Sequence, residues 1–167
     1  MCVFPAVICC NCQTPHPLIL QTHTVLQFRA MDFGMERCAL VLRLPDVGEF
    51  DMSIANNTIL DVCALDTQGM LDPRVLSWAT RPSCYRHVGV LAPRPGGEVQ
   101  LPDFPCPWGS LHSYGVSCAS GAPDCGIDVW SNQYSPWGTS LFGIIFTSLS
   151  EIVDRFSGIF MYQFQTI

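Results

Sequence analysis

Between residues 24 and 131 hydrophobic and polar side chains alternate with a period of two, and Gly, Pro, Asn and Asp break the alternation at short intervals. That is the pattern of half-buried antiparallel strands. The clearest run is RCALVLRL, where Cys38, Leu40, Leu42 and Leu44 share one face, Arg37 and Arg43 lie on the other, and Pro45-Asp46 closes the strand. In GEFDMSI, Phe50, Met52 and Ile54 oppose Glu49, Asp51 and Ser53; Asn56-Asn57 then turns the chain into TILDVCAL, which predicts a hairpin. Further short strands are expected over 24–30, 84–91, 98–101, 110–118 and 126–131, with turns at APRPGG and SGAPD. Strands this short and this regularly spaced predict an all-β fold, an antiparallel β-sandwich of jelly-roll or Ig-like type.

The period changes near the C-terminus. Ile145, Leu149, Ile152, Phe156 and Phe160 recur at three- and four-residue intervals, and Ser148 with Glu151 resembles a capping box, so a C-terminal amphipathic helix is expected. The division is then 1–23 as an irregular N-terminal segment or degenerate signal, 24–140 as the β-sandwich domain, and 141–167 as a helical tail or the product of a misplaced exon boundary.

Composition narrows the range of functions. A 167-residue chain can bury a substantial core, and only 13% of it is charged. Fourteen acids face eight arginines and no lysine, a net charge of −6, which argues against nucleic acid or an anionic membrane as partner and removes lysine-based chemistry. The apolar run Val3 to Cys10 contains Pro5 and has no basic residue before it, a poor secretion signal. LFGIIFTSLSEIVDRF is interrupted by Glu151, Asp154 and Arg155, so no transmembrane span is expected.

The candidate chemistry is thin. Cys9 and Cys12 have the spacing of one zinc half-site, with His16 and His23 in chain reach, but no second paired set exists, and the spacing of Cys106, Cys118 and Cys125 matches no zinc pattern. His112 and Ser113 are strand neighbours that point to opposite faces, GVSCA around Ser117 lacks the second glycine of a nucleophile elbow, and Asp124 and Asp128 do not form a carboxylate pair on a strand. No catalytic residue, metal site or cofactor is assigned, and the chain reads as no enzyme. Trp108, Tyr114, Trp130, Tyr134 and Trp137 either line a ligand-binding face suited to carbohydrate, or divide into core residues (Tyr114, Trp130) and turn-packing residues (Trp108, Trp137). Asn56 in Asn-Asn-Thr is a glycosylation acceptor if the chain is exported.

Three segments taken in order, LQFRAMDFGMERCALVLRLP, RPSCYRHVGVLAPRPGGEVQLPDFPCPWGSLHSYGVSC and IDVWSNQYSPWG, resemble the fungal family named for the C-terminal domain of a ubiquitin-3-binding protein, over roughly residues 26–138. Cys38 with Leu44-Pro45, Gly96-Gly97 with Phe104, Cys106, Pro107 and Gly109, and the stretch Trp130 to Gly138 carry the likeness. The resemblance implies a single β-sandwich, frequent among secreted or cell-surface proteins of filamentous fungi, with no established catalytic residues. It further implies a disulfide between Cys38 and Cys106. Two features of the family are not cleanly present, a secretion signal and a final Gly–aliphatic–aromatic strand; loss of that strand would expose a sheet edge and favour aggregation. The expected function is a non-enzymatic secreted or cell-surface module, binding or structural, whose partner is a protein or cell-wall carbohydrate. The alternative is an intracellular, cytoplasmic module that binds a ubiquitin-like protein or its activating machinery, and cysteine oxidation with a glycan on Asn56 separates the two.

Overall fold

A computed structural model describes residues 8–10, 23–46, 52–120, 125–129 and 158–165, and every described element is a strand. They are β1 (Ile8–Cys10), β2 (His23–Arg29), β3 (Arg37–Arg43), β4 (Met52–Ile54), β5 (Leu60–Leu65), β6 (Cys84–Leu91), β7 (Glu98–Gln100), β8 (Phe104–Pro105), β9 (Leu111–Cys118), β10 (Ile127–Val129) and β11 (Gly158–Phe164). One antiparallel sheet has the order β1-β2-β9-β5-β6; a second has the order β11-β3-β7, with β8 also paired to β3. The fold is an all-β sandwich. A two-stranded ladder of β4 and β10 completes the described topology.

Alternation explains the sandwich. Leu26 and Phe28 of β2, Leu60, Val62 and Ala64 of β5, and Tyr114 and Val116 of β9 meet Cys38, Leu40 and Leu42 of β3 and Met161 of β11 in one buried cluster. Each fully buried aliphatic side chain contributes roughly 1.5–3 kcal/mol by leaving water. β7 and β8 flank the same edge of β3 in tandem, Val41–Arg43 pairing with β7 and Arg37–Cys38 with β8. Between them Leu101 donates to the Leu40 carbonyl and enters the core, whereas Pro102 has no N–H to offer the ladder.

Three expectations change. The Asn56-Asn57 turn forms, with Thr58 N–H donating to Ala55, but it does not close a hairpin: β4 pairs with β10, and β5 pairs with β6 and β9. Thr58 ties the two segments together: its hydroxyl lies within donating distance of the Ala55 and Gly126 carbonyls, bonding one at a time, and accepts from Gly126 N–H, which fastens the 125–129 segment beside β4. Over its described part the tail is also not helical. Phe160, the last position of the expected apolar helical face, lies in β11, which pairs antiparallel with the whole of β3; the rest of that face is outside the described residues. Finally, where loss of a last strand would have exposed a sheet edge, a C-terminal strand that begins Gly158-Ile159-Phe160 is present and pairs with β3.

The outer face of the first sheet is covered as well. Residues 66–83 leave β5, cross β9 and β2 and return as β6. Gln27 and Ser113 are buried beneath them: Gln27 Nε2 donates to the Gly69 carbonyl at 3.0 Å and to Ser113 Oγ at 2.9 Å, and Gln27 Oε1 accepts from Leu71 N–H at 2.9 Å. Thr67 and Ser113 hydroxyls bond at 2.8 Å. At the far end Trp78 meets His23 edge-on at 4.8 Å, and the Arg81 guanidinium lies 3.3 Å over the Trp78 ring.

Candidate binding surface

Two loops meet at one end of the sandwich. Residues 30–36 join β2 to β3, and residues 106–110 join β8 to β9. Pro107 to Ser110 form a turn closed by Ser110 N–H to the Pro107 carbonyl, with Gly109 at φ +79°, the glycine-favouring third position of a type II turn. Gly34 in the other loop has φ +82°. Each glycine follows an aromatic residue, so the two turns display Trp108 and Phe33 at their crests.

A dense set of bonds holds the backbone under those crests. Ala30 and Ser110, and Gly109 and Ala30, are joined main chain to main chain, and Cys106 N–H donates to Glu36. Trp108 Nε1 donates to the Met31 carbonyl at 3.1 Å. Gln163 of β11 accepts from Met31 N–H and Asp32 N–H through Oε1 and donates to the Met35 carbonyl at 2.9 Å through Nε2. Beneath them the Cys38–Cys106 disulfide is fully buried, with Cα atoms 5.8 Å apart. The backbone polar groups are thus satisfied within the protein while the side chains face water: Phe33 is 86% exposed, Trp108 60% and Met31 54%, with Met35 beside them. Apolar side chains this exposed on a braced loop make it the candidate surface for contact with a partner. Arg37, 3.8 Å from Asp103, borders it with balanced charge.

Of the five aromatic residues read either as ligand-facing or as core and turn packing, Trp108 belongs to this surface. Tyr114 is buried against the core, its ring 6.3 Å from Phe28 and 6.1 Å from Phe104, and it also borders an adjoining cleft. Trp130, Tyr134 and Trp137 lie outside the described residues. Asn56 is exposed at its turn. Besides Cys38–Cys106, the structure joins Cys63 to Cys84 and Cys118 to Cys125.

Sequence reasoning missed Met31, Phe33 and Met35. They alternate with Asp32 and Gly34 and so look like more strand, though out of phase with Leu26, Phe28 and Ala30 of the core face; the Phe-Gly pair, which resembles the later Trp-Gly pair, is the signal that separates them. Gln163 carried no signal at all, since its segment read as tail.

His112 and His87 occupy different settings. His112 Nε2 is 2.8 Å from Ser110 Oγ, but that hydroxyl donates to the Pro107 carbonyl at 2.6 Å, so its proton closes the turn and is not offered to the imidazole. Burial holds the His112 pKa below its ordinary value. His87 contacts Asp61 on the solvent side of β5 and β6. Among the described residues no three His, Cys, Asp or Glu side chains converge as a metal site. Cys12 and His16 fall outside the described residues, and Cys9 is described only as backbone in β1.

Fold and surface together define a disulfide-bonded, all-β sandwich protein. No protein-family model matches the chain, and no curated protein matches it. Among the described residues no helix is long and apolar enough to cross a membrane.

Proposed function

We propose that this protein is an exported binding module of the fungal cell surface, non-enzymatic, which docks a partner protein through Met31, Phe33, Met35 and Trp108. The single observation carrying this reading is the braced apolar tip. A chain that spends four side-chain hydrogen bonds of Gln163 and a buried disulfide on a loop, then leaves that loop's largest side chains in water, is organised for contact with another surface. Aromatic and Met side chains are the residue types enriched at the centres of such contacts, and Met adapts its shape to a partner. Export is supported by three disulfides, which persist in oxidising compartments, and by the exposed Asn56 acceptor.

The test is binding of the labelled, oxidised protein to cells of its source, comparing wild type with a Phe33→Ser, Trp108→Ser double variant. Wild type is expected to bind saturably and the variant about tenfold or more weakly, as for loss of interface anchors worth over 1 kcal/mol each. Thermal stability should fall only slightly, because both side chains are exposed and the substitution removes a single bond, from Trp108 Nε1 to the Met31 carbonyl, worth about 1 kcal/mol. Equal binding by a folded variant, or no saturable binding by either, would overturn the reading.

A further inference from the structure

Next to the tip, a cleft of about 390 Å³ opens between the two sheets, within the size range of small-molecule sites. It exists because β8 stops after two residues, so the second sheet leaves the ends of β5, β6 and β9 uncovered there. Phe104 supplies one wall, and Ala64, Tyr85, Arg86, His112 and Tyr114 border it.

Arg86 is the unusual member. It pairs with Ala64 across the β5–β6 ladder, and directly paired residues share a sheet face, so a guanidinium stands on the side that is elsewhere the core. The guanidinium has no hydrogen-bond or ion-pair partner among the described residues; Asp66 also borders the cleft, but no ion pair joins the two. The nearest ring to it is that of Tyr85, at 6.0 Å. An inward charge on an edge strand also discourages edge-to-edge pairing, which explains a cation here but not its company.

That company is the second observation. Tyr114 is 4% exposed, and its hydroxyl has no hydrogen-bond partner among the described residues. Burial raises its pKa, as does Tyr85, while Arg86 pulls the other way, so the phenol is a neutral donor. The hydroxyl itself is reached by solvent at the cleft, so it can donate to a ligand there. A lone guanidinium beside phenolic O–H groups is a set of donors matched to a carboxylate, and Phe104 and Tyr85 offer flat apolar surface alongside.

We propose that this cleft binds a small organic acid, its carboxylate taken by the Arg86 guanidinium and the Tyr114 hydroxyl and its planar apolar body resting against Phe104 and Tyr85. The site is separate from the tip, so its occupancy is measured independently of cell binding.

The experiment is amide chemical-shift titration of the full, oxidised chain with benzoate and 3-phenylpropionate, against 3-phenylpropionamide and a neutral N-acetylglucosamine oligomer. Saturable shifts are expected at residues 64–67, 84–87, 104–105 and 111–114 with the acids. The uncharged amide should bind about tenfold more weakly, the size of one charge-assisted hydrogen bond. Arg86→Gln and Tyr114→Phe should each weaken the acids several-fold and leave the remaining spectrum unchanged. Equal binding of acid and amide, shifts at these residues with the neutral oligomer alone, or no saturable shift by about 10 mM, where affinity would be too weak for a working site, would each overturn the proposal.

Discussion

Gln163 shows how one amide can organise a loop: it bonds Met31 N–H, Asp32 N–H and the carbonyls of Asp32 and Met35. Gln163→Ala is expected to cost about 1–2 kcal/mol, since net hydrogen bonds are worth about 1 kcal/mol each and these are partly solvated. Hydrogen exchange is the sharper readout, because the Met31 and Asp32 amides should lose protection while β9 amides keep theirs. Gln27 plays the matching part beneath the 66–83 segment, and Gln27→Leu should cost about 1–3 kcal/mol in denaturant titration by stranding Leu71 N–H. His112 gives a pH signature. Its folded pKa lies below the ordinary 6.5 because burial disfavours the imidazolium. As pH falls through 6.5 the unfolded chain takes up that proton and the native state does not, so stability is full above 6.5, declines on acidification and levels off below the folded pKa. His23 is shifted the same way, by burial and then by Arg81, so His112→Gln should flatten a denaturation-midpoint profile between pH 7.5 and 5 only in part. Neither glutamine was legible in the sequence, because hydrogen-bond partners 86 or 132 residues away leave no local pattern.

At the scale of elements, local periodicity made most of the structure readable. β2, β3, β5, β6, β7 and β9 fall within a residue or two of the alternating runs, since one buried face imposes a period of two on each strand. What failed was the pairing of β4 and the nature of β11. Adjacency in sequence suggested a hairpin at Asn56-Asn57, whereas Thr58 commits its hydroxyl to Gly126, 68 residues on. GIFMYQF is apolar nearly throughout, so when its first aromatic residues are read with the segment before them, three- and four-residue spacings arise as easily as alternation. The disulfides also differ by element. Cys38–Cys106 is buried within the second sheet and contributes about 4 kcal/mol in the loop-entropy account, whereas Cys84 at the start of the edge strand β6 is exposed. Stepwise reduction with alkylation should therefore open Cys63–Cys84 first and Cys38–Cys106 last, near the unfolding transition; early labelling of Cys38 would show that the sheets separate more readily than this packing allows.

For the whole molecule, one account joins these parts: a core shared by two sheets, strapped on its outer face by residues 66–83 and stapled by disulfides, leaves one end free to display Phe33 and Trp108 beside a donor-lined cleft. The buried Cys38–Cys106 staple stabilises that end, which ties the binding reading to an oxidising compartment. The most direct measurement is peptide mass mapping of the protein from its native source, alkylated without reduction. The account predicts Cys38–Cys106, Cys63–Cys84 and Cys118–Cys125 as bridged pairs with a glycan on Asn56. Alkylated Cys38 and Cys106 together with an unmodified Asn56 would contradict it.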